Sequence, residues 1–507
     1  MKLIYTTARS AVFEMSYSTP CYAPCEYDIY LDGVKVKTSA TNVFSLYSLA
    51  PDTRYTVKAD SEEITFTTAK ENAFIDVRLH GVIGDGFYDD TVCIQTALNT
   101  APEGATVYFG KGIYRTSSLF IKSNITIYLD KDAVILGVND RKKYPVLPSC
   151  VGEGVYLTSW EGEEVATFAA LINITGSSNV NITGEGTIDA DAGHGDWWKD
   201  PKTKRIAWRP KTVQIVNSKD IVIEGVTIQN SYSWTMHPLF SNNVKLLNIK
   251  IKNPSDSPNT DGIDPESCDG IDIIGANIHV GDDCIALKAC KYDLAMKVKK
   301  PCRNVVIRNC HLDAGHGGVV IGSEMSGGVM NVTAEKCLMT STDRGLRIKT
   351  RRGRGKSAVI SNLVFRDVVM KNVQSPFVMN MFYFCDADGH SEYVQSRELL
   401  EVDDRTPMLD SFLFENITAE GAYHAGCYFD GLPEAPIKSV TLKNVKISFT
   451  DEEVAPGLAA MSDGCKLVAK QAVYAENVGN LVFDNVEFSG YDGEKLILKN
   501  VNNFKEM

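Results

Sequence analysis

The chain has 507 residues and a formal net charge of −12, with 44% hydrophobic and 23% charged residues. This is the composition of an ordinary globular protein, and its length suggests more than one domain unless part of the chain is a repeat array. The negative charge argues against nucleic acid as a partner. The chain contains no apolar run near the roughly 20 residues that cross a bilayer, so we expect no membrane span.

The cysteines and the first residues bear on the cellular compartment. The 13 cysteines follow no zinc-ligand pattern, which indicates buried, reduced thiols and no metal site. Residues 1–9 contain basic residues but are followed by no apolar segment. We therefore expect no secretion signal and a cytoplasmic protein.

Residues 1–70 differ in pattern from the rest of the chain. Short alternating runs, such as residues 27–31, are separated by turn residues such as Asp32-Gly33, which predicts a small antiparallel β-sandwich. Residues 49–57, followed by F-T-T at residues 66–68, resemble the end of a fibronectin type III module. Because the segment carries no cluster of catalytic side chains, we interpret it as a packing or positioning domain, with carbohydrate binding as the alternative.

From residue 74 to the end at residue 507, a weak repeat of the form N-V-x-I recurs roughly every 25 residues where it is tightest. Its apolar anchors are Val180, Ile221, Val244, Ile271, Val305, Val332, Leu363, Val440 and Leu481. Helix-forming stretches between anchors are nearly absent, which argues against leucine-rich or ankyrin arrays. The pattern predicts an all-β fold, a right-handed parallel β-helix whose anchors form the coil interior.

One helix is expected near the start of this array. Residues 89–98 are amphipathic, with Asp90 or Thr91 near the N-cap, and a short helix there would cover the open apolar end of the first coil. The glycines at residues 81–86 are not followed by the Gly-Lys-Ser/Thr of a nucleotide-binding loop, so we expect no phosphate site.

Four polar clusters follow four successive anchors at similar offsets. They are Asn259-Thr260-Asp261, Gly281-Asp282-Asp283, Gly315-His316-Gly317 and Arg347-Ile348-Lys349. Similar offsets in a solenoid place residues on one side, one coil above another. The clusters should therefore line a single groove within about three coil rises, on the order of 15 Å.

The carboxylates in these clusters suggest acid–base chemistry. Alone, Asp282-Asp283 would suit an ordinary turn, but its alignment with Asp261 and His316 favours a functional site, because gathering like charges is costly. Glycoside hydrolysis needs one carboxylic acid to protonate the leaving oxygen and a second carboxylate to activate water or attack. A neighbouring carboxylate helps to keep the acid protonated.

The groove also contains positive charge. Arg347 and Lys349 alternate on a predicted strand and point the same way, as a site for an anionic sugar would require. Arg344 and the basic residues at 351–356 extend this into a local positive patch, although residues 351–356 could equally be a solvated basic loop.

In this order, N-T-D, D-D, G-H-G and R-I-K resemble the signatures of the polygalacturonases of glycoside hydrolase family 28. The segments G-D-G at residues 84–86 and W-T-M-H-P at residues 234–238 also resemble that family, and the likeness covers roughly residues 74–490. It implies a galacturonate oligo- or polysaccharide substrate, hydrolysis with inversion, and no cofactor or metal.

The resemblance also implies roles for individual residues. Asp282 matches the general acid, and Asp261 and Asp283 match the pair that holds the attacking water. His316 matches the histidine that supports the acid. The residues that match substrate binders are Arg347, Lys349, Tyr383 and Asn259.

Long insertions near residues 138–168, 190–208 and 385–411, together with the N-terminal module, resemble exo-acting members, in which loops close one end of the cleft. A rhamnogalacturonan or xylogalacturonan hydrolase of the same family is the nearest alternative. A pectate lyase would need Ca²⁺ and an arginine base, and a non-catalytic glycan-binding β-helix would leave the carboxylates unexplained. The oligomeric state stays open.

Overall fold

A computed structural model describes all 507 residues. The chain begins with two small antiparallel sheets. One consists of Lys2–Thr6, Ala11–Glu14 and Val43–Leu46, and the other of Tyr22–Leu31, Val34–Thr41, Arg54–Ala59 and Glu62–Thr67. Phe13, Phe44 and Phe66 pack between them.

The rest of the chain coils through three parallel sheets, which we call A, B and C. Sheet A contains Ala73–Asp76, Ala105–Phe109, Ile125–Leu129, Ser178–Gly184, Lys219–Glu224, Asn242–Leu247, Asp269–Ile274, Cys302–Arg308, Val329–Glu335, Val359–Lys371, Ser411–Ala422, Ile437–Phe449, Gln471–Ser489 and Leu496–Glu506. Sheet B contains Gly112–Thr116, Ala133–Gly137, Thr187–Asp189, Thr227–Gln229, Lys250–Lys252, Asn277–Val280, His311–Ala314 and Leu338–Thr340, and continues into the long strands of sheet A. Sheet C contains Leu119–Ile121, Ile172–Thr175, Val213–Val216, Met236–Leu239, Asp283–Leu287, Gly317–Ile321, Arg344–Lys349, Ser375–Asn380 and Ala425–Asp430.

The remaining elements are short. The helices are Thr91–Thr100, Tyr292–Val298 and Glu392–Gln395, and the 3-10 turns are Val77–His80, Arg141–Lys143 and Ala192–His194. Small extra strands are Val146–Leu147 with Thr167–Phe168, Gly457–Leu458 with Leu467–Val468, and Met408–Leu409. No helix of the protein has the length and apolarity needed to span a bilayer.

The repeat anchors stack in register along sheet A. The predicted anchors from Val180 to Leu363 pair in sequence along the helix axis, as do Val440 and Leu481. The structure adds Ile125, Phe412 and Phe504 to the same row, with Phe412 between Leu363 and Val440. All except Phe504 are buried. The predicted all-β class, a parallel β-helix preceded by a small sandwich, is therefore confirmed.

The asparagine before many anchors has a backbone reason. Asn179, Asn304, Asn331 and Asn362 all have positive φ angles, a conformation that asparagine tolerates better than most residues. Their side chains also hydrogen-bond from coil to coil, as between Asn362 and Asn331 at 2.8 Å. The repeat thus specifies a turn as well as a core residue.

The predicted helix is present at Thr91–Thr100, with Ile94, Ala97 and Leu98 buried against the first coils. It follows Asp90, but the Asp90 carboxylate accepts from the backbone N–H groups of Ile83 and Gly84 instead of capping the helix.

The N-terminal module packs on the outer face of sheet A. Val12 and Val43 contact Val222, Leu247 and Ile274, which are buried there. Around this apolar contact, Arg308 forms a bidentate ion pair with Glu14 at 2.6 and 2.9 Å, and the Tyr5 hydroxyl donates to Asn181. The module thus covers apolar surface of sheet A, whereas the polar clusters lie on sheet C.

Candidate active site

Sheet C brings the four predicted clusters together in four consecutive coils. Ile263, Ile285, Val319 and Leu346 occupy one row of this sheet. Asp261 and Asp283 each lie two residues before their row member, and Arg347 and Lys349 follow Leu346. The similar offsets predicted from the sequence thus correspond to neighbouring positions in the register of sheet C.

The three aspartates form one compact group. Oxygen atoms of Asp261, Asp282 and Asp283 all lie within 4.8 Å of one another. Asp261 and Asp283 are buried, while Asp282 is half-buried and lines both adjoining cavities. Burial and the charge of Asp283 raise the pKa of Asp282, and the nearby His316 and Lys349 cations only partly oppose this. Burial raises the pKa of Asp261 as well, but of the three only Asp282 lines both cavities. Asp282 is therefore the member placed to pass a proton to a leaving group.

Asp283 differs because cations hold it. Its two oxygens lie 2.6 Å from Lys349 Nζ and 3.3 Å from Arg347. Burial alone would raise its pKa, but Lys349 and Arg347 outweigh burial and lower it. The sequence interpretation had assigned both cations to the substrate carboxylate alone, whereas they first neutralise Asp283.

A second buried layer lies behind Asp261. Lys288 Nζ lies 3.2 Å from Glu324, 3.5 Å from Asp264 and 3.8 Å from Asp261. The sequence analysis missed Asp264, Lys288 and Glu324. A signal was present for the first two, since Asp264 lies three residues after Asp261 and Lys288 lies five residues after Asp283. Because Lys288 is shared by three carboxylates, it offsets their repulsion beneath the catalytic trio.

Asp264 carries a testable consequence for stability. Its side chain is fully buried and neither carboxyl oxygen has a hydrogen-bond partner; burial raises its pKa to about 8. In the unfolded chain the pKa of an aspartate is about 3.9. Between pH values of about 3.9 and about 8 the folded state therefore binds more protons than the unfolded state, and the unfolding free energy falls as pH rises.

We expect Asp264→Asn to reduce this loss of stability, because asparagine cannot ionise. The measurement is urea unfolding at about pH 5 and about pH 8, with the exposed Asp256→Asn as control. An unfolding free energy that falls equally in Asp264→Asn and wild type would contradict the buried-carboxyl account.

The other predicted residues also lie in the groove. His316 is half-exposed, and its Nδ1 lies 2.8 Å from Asp343. Asn259 accepts a 2.6 Å hydrogen bond from Arg209, which is itself buried. The ring of Tyr383 is 5.5 Å from Lys349 Nζ, and burial raises the pKa of its hydroxyl.

Two adjoining cavities, of about 100 and about 650 Å³, form the cleft. Seven residues line both: Lys202, Asn259, Asp282, Lys349, Tyr383, Cys385 and Asp386. The smaller cavity contains Asp261, Asp283 and Trp234, and the larger contains His316, Arg344 and Arg347. Asp282 thus stands at the junction, where a scissile bond between two sugars would lie.

Residues of the three insertions border the cleft, and among them Glu161 lines only the smaller cavity. Glu161 and Lys202, from two of the predicted insertions, pair at 2.7 Å, and Trp160 stacks on Trp208 with ring centroids 5.0 Å apart. From the third insertion, Asp386 pairs with Lys291 and Arg354 at 3.0 and 2.6 Å. These contacts form a wall beside the aspartate trio.

The basic run at residues 351–356 belongs largely to this wall and its support. Arg352 is buried against Glu434 at 2.6 Å, and Arg351 pairs with Asp386 and Asp388. The predicted positive patch is therefore wrong for these arginines, and the alternative of a solvated loop fits only Lys356, which is exposed. The charges of Arg351 and Arg352 are thus paired with carboxylates of the protein itself.

The family model that matches this chain is that of glycosyl hydrolases family 28, over residues 155–465. The chain belongs to glycoside hydrolase family 28. A second model, for the rhamnogalacturonase A/epimerase, pectate lyase-like group, matches residues 74–133. The enzyme is therefore a glycoside hydrolase built on the β-helix described above.

Individual relatives are similar over most of the chain. A probable polygalacturonase from Vitis vinifera is 31% identical over 396 residues, which cover 75% of this chain and 76% of the relative. The family 28 exopolygalacturonase structure from Yersinia enterocolitica aligns with a TM-score of 0.74 at 19% identity, covering 99% of this chain and 98% of the other, which shows a shared fold. The exopolygalacturonase structure from Thermotoga maritima aligns with a TM-score of 0.68 at 26% identity, covering 83% and 92%. Other relatives include both endo- and exo-acting enzymes.

Proposed function

We propose that this enzyme hydrolyses α-1,4-galacturonosidic bonds in polygalacturonate and oligogalacturonides, from one chain end and with inversion. The observation that carries the proposal is that two adjacent carboxyls have opposite pKa shifts. Asp282 has a raised pKa at the junction of the two cavities, while Asp283 beside it is held ionised by Lys349 and Arg347. The names of the relatives support the substrate class.

In the proposed reaction, Asp282 donates its proton to the glycosidic oxygen as the bond to the anomeric carbon breaks. Asp283 and Asp261 orient a water molecule and take up its proton as it attacks the opposite face. The two products leave with a new hydroxyl on each, Asp282 regains a proton from solvent, and the base carboxylate releases the proton it took from water. Each step uses the charge state that the surroundings favour for Asp282 and Asp283.

Substrate charge fits the same groove. Lys349 and Arg347 each retain donors beyond those that contact Asp283 and line the larger cavity, and Arg344 stands beside them. A galacturonate carboxylate there would meet cations whose charge-assisted hydrogen bonds are the strong ones in proteins. A neutral sugar would leave that positive charge unmatched.

The separation of the carboxyls does not by itself favour inversion. Inverting glycosidases usually hold acid and base about 6.5–9.5 Å apart, and retaining ones about 5–5.5 Å apart, whereas the nearest oxygens in this trio lie within 4.8 Å. The argument for inversion is that Asp283 is pinned by two cations, which weakens it as a nucleophile. Asp261 and Asp283 together can instead bind one water molecule.

The wall of paired side chains beside the smaller cavity supports attack from a chain end. The contacts among Glu161, Lys202, Asp386 and Lys291 stand where a polymer would have to continue past the smaller cavity. An endo-acting enzyme needs a groove open at both ends. The similarity to the Thermotoga exopolygalacturonase, at 26% identity, also supports attack from a chain end.

The test is product analysis on oligogalacturonides of defined length. We expect a single short product from the first time point at every substrate length, because the wall fixes how many sugars enter. A ladder of intermediate lengths early in the reaction would contradict exo action, and turnover of rhamnogalacturonan in place of polygalacturonate would contradict the substrate.

A further inference from the structure

His316 is held by a carboxylate from the next coil. Asp343 Oδ2 lies 2.8 Å from His316 Nδ1, and Asp343 Oδ1 accepts a 2.5 Å hydrogen bond from the Gln374 side chain. Asp343 precedes the strand Arg344–Lys349, one coil above His316. With Nδ1 engaged, Nε2 is the ring nitrogen left for the larger cavity, which Asp282 also lines.

Positive charge surrounds this histidine, so its protonation needs compensation. Arg344 lies 3.3 Å from the same Asp343 oxygen. Arg347 and His424 face Asp343 from the neighbouring coils. The Asp343 hydrogen bond is the main cause that raises the pKa of His316, followed by Asp282 and Asp283 after burial has opposed it. Without Asp343, the imidazolium would face two arginines and only the catalytic carboxyls.

We propose that Asp343 is a positioning residue that keeps His316 charged and turns its Nε2–H toward the acid Asp282 and the oxygen of the departing sugar. Asp343 also lines the larger cavity, but its proposed action is through His316 and not on the substrate. The imidazolium then donates a hydrogen bond at the point where negative charge develops as the glycosidic bond breaks. This inference rests on the acid role proposed for Asp282.

The first arm of the test does not depend on activity. In Asp343→Asn, histidine NMR should show His316 losing its proton at a pH lower by about one unit or more, because an opposite charge in contact shifts a pKa by roughly that amount. The matched control is Asp313→Asn, which removes the equivalent partner of His279 at 2.7 Å, outside the cleft. It should leave the titration of His316 unchanged.

The second arm is the pH profile of kcat/KM on a trigalacturonate substrate. The charged form of His316 is needed, and Asp343→Asn loses it at lower pH. The alkaline limb of the profile should therefore move to lower pH. Near neutrality kcat should fall roughly tenfold for each unit by which the pKa of His316 drops, with KM little changed. Asp343→Glu should restore part of the limb.

Two results would overturn the inference. One is a His316 titration that is the same in Asp343→Asn and wild type. The other is an alkaline limb that stays in place or moves upward, as expected if His316 merely lowered the pKa of Asp282. If the wild-type enzyme fails to cleave galacturonate, the proposed function fails instead, and the NMR arm still decides whether Asp343 controls His316.

Discussion

Asp282→Asn is expected to lose between about 10²- and 10⁴-fold in kcat while keeping its fold, because general acid catalysis contributes on that order. Asparagine preserves the size of the side chain but has no proton to give to the leaving oxygen. Burial and Asp283 raise the pKa of Asp282, which favours the protonated form that the reaction needs.

The measurement is initial rate on polygalacturonate, with thermal unfolding to verify the fold. Asp269→Asn, at a partly buried aspartate that pairs with Arg303 outside the cleft, is the control and should retain wild-type activity. An Asp282→Asn variant with more than about a tenth of the wild-type rate would rule out the acid assignment.

Lys349→Met is expected to impair both stability and activity. Lys349 and Asp283 form a buried pair at 2.6 Å, and removing one partner of such a pair costs about 3–5 kcal/mol of folding free energy because the other charge is left buried. Arg347 still contacts Asp283 at 3.3 Å, so the loss should lie at the lower end. In addition, kcat/KM should fall at least about tenfold through the lost charge-assisted contact to the substrate carboxylate.

The double variant Asp283→Asn/Lys349→Met separates these two effects. It should recover only part of the lost stability, because the buried Asp283 charge is gone but Arg347 loses the carboxylate it pairs with. It should stay inactive, because Asp283 is needed to hold the water molecule. Lys443→Met, which breaks an exposed pair with Glu415, should cost less than about 1 kcal/mol. A double variant as active as wild type would remove both residues from the proposed mechanism.

Much of the coil architecture could be predicted from the sequence because most anchors are specified twice. An apolar residue fills the core, and the residue before it, most often asparagine, forms a left-handed turn. The coil at Phe412 was missed because Asp410-Ser411 stands where the asparagine pattern would be. Register in a solenoid is local, so similar offsets from successive anchors were enough to place the catalytic trio and the Arg347/Lys349 pair on sheet C.

The partners of those residues could be predicted less well. The sequence reasoning assigned the two cations to the substrate and the carboxylates to catalysis. It therefore could not predict that Lys349 and Arg347 pair with Asp283. Asp343 did carry a signal, since Asp282, His316 and Asp343 follow their anchors at the same offset. The wall formed by Glu161, Lys202 and Asp386 has no such signal, because its positions depend on how three insertions pack together.

The stereochemistry of hydrolysis tests the proposed mechanism most directly. Proton NMR of the anomeric signal, recorded early in the cleavage of a short α-linked oligogalacturonide and before mutarotation, reports which face water attacks. Water held by Asp261 and Asp283 opposite the leaving group predicts that the β-anomer appears first. An α-anomer appearing first would make one of these carboxylates a nucleophile, and an unsaturated product would replace hydrolysis with elimination; either result would contradict the mechanism.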